Sequence, residues 1–246
     1  MEASFALDEL SWPQVQRIIA RDPRLLLPVG ALEQHGPHLP LGTNTLISKH
    51  VCAALSRRLG ILRAPTFAYG VTASQASYAG TAGLRRKTFH RSVNELLARW
   101  EDHGISEFII VSAHRYEPHL EAVLMALTAS SATTVYDLFQ IDVHDLLEGD
   151  PEREHAGELE TSLLLHLAPH LVGDASASDF VVEGRRLRTY IRRRMPAPPL
   201  ESRGVLGRPS LASAAKGAAL FARLVDVLGA SLDRSGTHRD VNSESA

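Results

Sequence analysis

The run Leu25-Leu-Leu-Pro-Val-Gly-Ala-Leu-Glu-Gln-His-Gly-Pro-His-Leu-Pro-Leu-Gly-Thr-Asn-Thr45 decides how this chain is read. Leu25 to Val29 has the continuous apolar character of a strand buried on both faces. Gly30 breaks it, and Gly36, Pro37, Pro40 and Gly42 shape a turn-rich loop. Glu33, His35 and His38 are delivered into that loop, and the run ends at Asn44. A carboxylate and an imidazole two residues apart beyond a strand end suit a divalent cation. Asn44 supplies a carboxamide where such a site would favour a carboxylate.

Outward from this run, strands alternate with helices. Ser11-Trp12-Pro13 opens a short helix, with Ser11 as cap and Pro13 in the first turn. Leu46 to Leu59 reads as a helix stopped by Gly60, and Ile61 to Phe67 as a second strand. The stretch Gly70 to Gly83 is long for a connector, which favours a binding role. Phe89 to Trp100 carries Val93, Leu96, Leu97 and Trp100 on one helical face. Glu107 to Ser112 is a strongly apolar strand, Pro118 to Ser130 a helix, and Thr133 to Phe139 another strand. Gly157 to Leu167 is a helix stopped by Pro169, Met195 to Leu200 a Pro-rich loop, and Ser210 to Leu228 the last helix. This alternation predicts one α/β domain with a mainly parallel sheet over residues 1–230. Ser231 to Ala246 is polar and aperiodic and reads as a disordered tail.

Bulk properties narrow the function classes. The 246 residues are 44% hydrophobic and 22% charged, ordinary for a globular protein. A net charge of −2 gives no drive toward nucleic acid or an anionic membrane. No signal peptide is evident at Met1–Leu10, and no run reaches the roughly 18 apolar residues of a membrane span, so a soluble cytoplasmic protein is expected. The single cysteine, Cys52, cannot form an internal disulfide and reads as a core residue.

Three places carry candidate chemistry: Glu33-x-His35 with Asn44; His114, followed by Tyr116 and Glu117; and His155-Ala-Gly-Glu-Leu-Glu160. The first two follow strands, where ligands collect in an open parallel sheet, so they should converge. Carboxylates with imidazoles suit Zn, Mn or Fe, and thiolate ligation has only Cys52 to draw on. A bound cation lowers the pKa of a water, and His155 would serve as base or as acid to a leaving nitrogen. The plainer reading is that Glu158 and Glu160 merely complement a helix dipole and that a His after a strand is a structural hydrogen-bonder. No Gly-x-Ser-x-Gly elbow and no nucleotide-binding glycine fingerprint is present. Arg185, Arg186, Arg188, Arg192, Arg193 and Arg194 form a basic cluster, read as a solvated face or oligomer contact, with phosphate or nucleic-acid binding the minor alternative.

On these residues the chain resembles the creatininase (creatinine amidohydrolase) family. The similarity runs from Leu10-Ser-Trp-Pro13 to the last helix and is carried by Pro28-Val-Gly-Ala-Leu-Glu-Gln-His-Gly-Pro-His-Leu-Pro40. Gly80-Thr81, the strand leading to His114, His155-Ala-Gly-x-x-Glu-Thr-Ser162 and Gly204-Val-Leu-Gly-x-Pro209 follow in order. The resemblance implies a three-layer α/β/α fold and a binuclear metal centre hydrolysing a non-peptide C–N bond in a small cyclic amide or formamide. Relatives also include a peptidase that trims a mycofactocin precursor. By position, Glu33, His35, Asn44, His114 and Glu160 would be metal ligands and His155 the catalytic acid/base. Gln75, Tyr116 and Glu117 would face the substrate, one or two ions would be held per chain, and the protein would be a homo-oligomer, as family members often are hexamers.

The departures are local. Asn44 stands where the family has a metal-bridging Asp. Ser112-Ala-His-Arg-Tyr-Glu117 puts Arg115 beside His114 and Glu117 three residues on rather than two. Gln75 replaces a His and Arg208 an Asp. Trp12 and Trp100, the only tryptophans, fall in helices away from these motifs, which argues against creatinine itself. The sequence thus supports a metal-dependent amidohydrolase with an altered site, or alternatively a catalytically impaired member serving as a binding or scaffold subunit.

Overall fold

The structure is a computed structural model that describes residues 4–72, 78–126, 131–150, 154–175, 179–181 and 200–240, with side chains to 233. Its framework is a four-stranded parallel sheet in the order β2-β1-β3-β4, with β1 Arg24–Val29, β2 Leu62–Arg63, β3 Glu107–Ser112 and β4 Ala132–Asp137. Every residue of β3 is buried, as a strand covered on both faces demands.

Alternation along the strands divides the core into two layers. Leu26, Ile109 and Val111 point to one side, where they pack with helices α2 (Thr43–Leu59), α5 (Glu158–Leu167) and α6 (Ala214–Asp240). Ile47, Val51, Cys52 and Leu55 come from α2, Leu159, Leu163 and Leu164 from α5, and Leu220, Leu224, Leu228 and Leu232 from α6. Leu25, Leu27, Val29, Phe108 and Ile110 point to the other side. There they meet α1 (Trp12–Arg21) through Ile18 and Ile19, α3 (Arg86–Asp102) through Phe89, Val93 and Leu97, and α4 (Glu117–Leu124) through Ala122 and Val123. The result is the expected three-layer α/β/α domain. Each fully buried Leu of this kind contributes roughly 1.5–3 kcal/mol of transfer free energy.

Several boundaries differ from expectation, each for a local reason. The strand expected over Ile61–Phe67 shrinks to Leu62–Arg63 because Pro65 has no N–H to give the ladder. Pairing resumes as a single bridge, with Phe67 N–H donating to Pro28 O and Gly30 N–H to Phe67 O. On α3, Leu96 is 38% exposed, and the buried stripe is instead Phe89, Val93 and Leu97. Helix α4 starts at Glu117 and ends at Leu124, and residues 127–130 of the expected span lie outside the described residues. Helix α6 begins at Ala214, after a 3-10 turn at Pro209–Leu211, with Ser213 Oγ accepting from Lys216 N–H.

The disordered tail expected from Ser231 is also corrected: α6 continues to Asp240. Leu232 is buried one turn beyond Leu228, so the apolar stripe reaches past the expected end. Residues 241–246 lie outside the described residues, as do Gln75, the Arg185–Arg194 cluster and most of the Pro-rich loop. No described helix is long and apolar enough to cross a membrane.

Trp12 and Trp100 line an apolar cavity of about 610 Å³ with Leu25, Leu62 and Ile105. Leu25 and Ile105 lie at the amino ends of β1 and β3. The tryptophans therefore sit at the opposite edge of the sheet from the loops that carry Glu33 and His114.

Candidate metal centre

Beyond the carboxyl ends of β1 and β3 the three expected clusters come together. The loop after β1 carries Glu33 and His35, the first turn of α2 carries Asn44, and the segment after β3 carries His114. The α5 N-terminus brings His155 and Glu160. The side chain of Glu33 is 3% exposed and that of His35 fully buried. In so closed a space each polar atom needs a partner, and here the partners are one another.

Glu33 Oε1 lies 3.0 Å from His114 Nδ1 and accepts from Asn44 Nδ2 at 3.0 Å. Asn44 Nδ2 also lies 3.1 Å from His114 Nδ1. Its other end, Oδ1, is 3.1 Å from His35 Nε2, and Glu160 Oε1 is 3.5 Å from the same nitrogen. Glu33, His35 and His155 form a compact set whose ligating atoms lie within 4.8 Å of one another. The rings of His35 and His155 are 4.6 Å apart.

Backbone carbonyls orient both imidazoles. His35 Nδ1 donates to Glu33 O at 3.0 Å, which aims Nε2 inward; His114 Nε2 donates to Val71 O at 3.0 Å, which aims Nδ1 inward. This is the arrangement in which one ring nitrogen is anchored and the other is presented to a cation. Carboxylate and imidazole donors with no thiolate fit a borderline or hard divalent ion. Cys52 lies in the core of α2, where burial pushes its thiol up and away from reactivity.

The charges are mutually adjusted. Burial by itself would raise the Glu33 and Glu160 carboxyls, but His114 beside the first and His35 beside the second outweigh it and hold each at about 2. Burial opposes charge on His35, yet Glu160 and then Glu33 raise it to about 9. His155 goes the other way: burial and the neighbouring His35 hold it below its ordinary value. The Gln34 backbone carbonyl lies 2.9 Å from His155 Nε2 and the Gln34 side-chain amide Nε2 lies 3.1 Å from the same nitrogen, so one glutamine holds the ring from two sides.

Local backbone geometry sets these positions. Ala156 has φ 53, a left-handed conformation unusual without glycine, and its N–H donates to Glu160 Oε2 at 2.6 Å. The turn thereby brings His155 and Glu160 to one side. Gly36, at φ 67, closes the turn after His35, where a Cβ would meet Val205 at 2.5 Å.

The remaining candidates separate. Glu158 is remote from the ligands: its carboxylate accepts from Glu148 and Gly149 N–H groups and pairs with Lys216. Tyr116 lies with its ring 6.0 Å from that of His114, and Glu117 opens α4. Arg115, expected as a cation beside His114, instead donates to Phe139 O at 2.8 Å and stacks over its ring. His38 stays out of the ligand set and bonds Thr161 Oγ1 at 3.0 Å, tying the loop to α5.

Sequence reasoning missed Gln34 and Glu154. Gln34 fixes His155 through its carbonyl and uses its side chain to hold Gly36 N–H and Gly204 O. Its only sequence signal was its place between Glu33 and His35. Glu154 accepts the N–H groups of Glu158 and Leu159, the first two of α5, and burial with nearby Glu160 raises its carboxyl to about 8. An acid just ahead of a helix start was the available signal.

Comparison with known proteins identifies the family. The creatininase profile, described as creatinine amidohydrolase, matches residues 8–232. The chain is 31% identical over 196 residues to creatinine amidohydrolase of Pseudomonas putida, covering 70% of this chain and 75% of that one. It is 31% identical over 234 residues to the mycofactocin precursor peptide peptidase of Mycobacterium ulcerans, covering 89% and 88%. A crystal structure of creatinine amidohydrolase superposes with a TM-score of 0.80 at 24% identity, covering 94% of this chain and 98% of that one. With matching fold, matching span and the Glu33–His38 loop at the head of the sheet, this chain belongs to the creatininase family.

Proposed function

We infer that the chain is a metal-dependent amidohydrolase cleaving a C–N bond in a small cyclic amide or formamide. The observation that carries this reading is the meeting of Glu33, His35, Asn44, His114, His155 and Glu160 in one buried cluster at the ligand end of the sheet. In this reading Glu33, His35, Asn44, His114 and Glu160 hold Zn, Mn or Fe, and His155 is the catalytic acid/base. A divalent ion there supplies polarisation of an amide carbonyl and of a water.

The chain's own residues do the rest. His155 takes the proton of the attacking water and returns it to the leaving nitrogen. The Gln34 carbonyl and side-chain amide, both within 3.1 Å of His155 Nε2, hold the ring in place. The anchored rings of His35 and His114 need no rearrangement to present their inner nitrogens. Tyr116, Glu117 and Gln75 are assigned to the substrate side. The protein is taken to be a cytoplasmic homo-oligomer, in keeping with its family.

The relatives act on different substrates by name, creatinine in one case and a precursor peptide in the other. The test is therefore a panel of cyclic amides, formamides and short peptides, assayed with Zn, Mn or Fe before and after chelation. Metal-dependent hydrolysis that EDTA abolishes supports the reading. Failure to take up any metal, with no hydrolysis, overturns it. Asn44 favours the second reading, a binding or scaffold subunit, and metal uptake without turnover on any substrate would select that one.

A further inference from the structure

The carboxamide of Asn44 divides the cluster into two unlike halves, and its polarity is fixed by what it touches. Glu33 is a carboxylate and can only accept, so the end of Asn44 at 3.0 Å from Glu33 Oε1 is the amide Nδ2. The same Nδ2 is 3.1 Å from His114 Nδ1. The opposite end, Oδ1, therefore faces His35 Nε2, where Glu160 Oε1 also lies. Reversing the amide would place oxygen against the Glu33 carboxylate and nitrogen against a ring nitrogen, which loses the bond to Glu33.

An amide oxygen ligates cations, whereas an amide nitrogen presents hydrogens and has no lone pair to give. On the His35 side the donors are His35 Nε2, Asn44 Oδ1 and Glu160 Oε1, and Glu33 and His155 form a set with His35 whose ligating atoms lie within 4.8 Å of one another. On the His114 side Glu33 Oε1 and His114 Nδ1 meet at 3.0 Å, and Asn44 turns an N–H donor toward the space between them. Divalent sites of this type are held by at least three protein ligands.

We propose that this chain binds a single divalent ion, on the His35 side of Asn44, and that His114 remains hydrogen-bonded to Glu33 instead of ligating a second ion. This rests on the amidohydrolase reading for the presence of a metal, goes beyond it in the number and place of the ion, and takes His114 out of the ligand set given there. A carboxylate at position 44 would accept on both sides and remove the asymmetry.

The experiment is titration of the chelator-stripped native chain with Zn²⁺ alone, with zinc content measured after gel filtration. The expected stoichiometry is one ion per chain for the native protein and for His114→Ala. It is two for Asn44→Asp and none retained for His35→Ala. Two ions on the native chain would overturn the proposal while leaving the amidohydrolase reading intact, as would loss of the single ion in His114→Ala with its retention in His35→Ala. A native chain that takes up no zinc would overturn both. The native count and the two histidine variants decide the matter even where Asn44→Asp does not fold.

Discussion

The carbonyl oxygen of Gln34 and the Nε2 of His155 are 2.9 Å apart, so a backbone group between two candidate ligands helps to orient the candidate base. The same glutamine is locked from its other end. Its side chain accepts from Gly36 N–H at 2.9 Å and donates to Gly204 O at 3.0 Å. The Gly204–Gly207 segment also pairs with His155 itself, through His155 N–H to Leu206 O and the reciprocal bond. Orientation of the base thus depends on a glycine far from it in sequence.

Gly204→Ala is expected to disturb this lock. Gly204 has φ 87, and a Cβ there would fall 1.9 Å from Gln34 Oε1. The conformational strain alone costs about 1–3 kcal/mol, which in a domain of this size lowers Tm by roughly 2–10 °C. Because the displaced group is Gln34, kcat should fall at least about tenfold, the equivalent of 1.4 kcal/mol in the barrier. Calorimetry and steady-state kinetics on the same preparation check both. A variant with native Tm and native kcat would show that Gln34 does not hold His155 through this contact.

Glu158 and Glu160 lie two residues apart in one helical turn and should behave as different kinds of residue. Glu158→Gln removes the charge that pairs with Lys216 and accepts the Glu148 and Gly149 N–H groups, with a cost of about 1.5–3 kcal/mol for the charged hydrogen bonds. Metal content should be unchanged. Glu160→Gln should weaken metal retention instead, since Glu160 faces His35. Denaturant titration and elemental analysis of the two variants separate the roles, and equal metal loss in both would contradict the assignment.

That pair also shows where sequence reading stops. The sheet, its parallel sense and the convergence of Glu33 with His114 were legible because apolar runs and strand ends are local signals. The fate of Glu158 was not, since its partner Lys216 comes from α6 and only folding brings them together. Pro65 was visible in sequence, yet its truncation of β2 required knowing which neighbour the strand pairs with. The helical continuation past Ser231 was obscured because Leu232 alone carries the apolar stripe onward. Asn44 was recognised as a departure, but which way its amide points follows from Glu33 being an acceptor at 3.0 Å.

The metal-free chain should be most stable in mildly acid solution. Glu33 and Glu160 are held at about 2 against an ordinary 4.5, so the unfolded chain binds more protons between those values. Their contribution is present above pH 4.5 and is lost as pH falls toward 2. His35 is raised to about 9 from 6.5, so its contribution is complete below 6.5 and is lost as pH rises through 9. Glu154, raised to about 8 from 4.5, favours the fold only while protonated, and that contribution declines from 4.5 to 8. On these four groups, thermal melts of EDTA-treated protein should peak near pH 4.5 and fall on both sides, more steeply above pH 6.5. Glu154→Gln should flatten the decline up to pH 8, leaving the His35 component; an unchanged slope would remove Glu154 from the account.

His155→Gln offers the most direct view of the proposed chemistry. The native imidazole is held below its ordinary value by burial and by His35, so its basic form persists into weak acid. The acid limb of kcat/KM should accordingly lie below pH 6.5 in the metal-loaded native enzyme. Removing the ring takes away a proton acceptor worth about 10²–10⁴-fold in rate, and the remaining activity should lose that limb. Zinc content should stay at the native value, because His35, Asn44 and Glu160 are untouched. A variant that keeps both the rate and the acid limb would show that the proton goes elsewhere. One that loses the ion along with activity would make His155 a ligand, a role its place beside Glu33 and His35 allows on geometry alone.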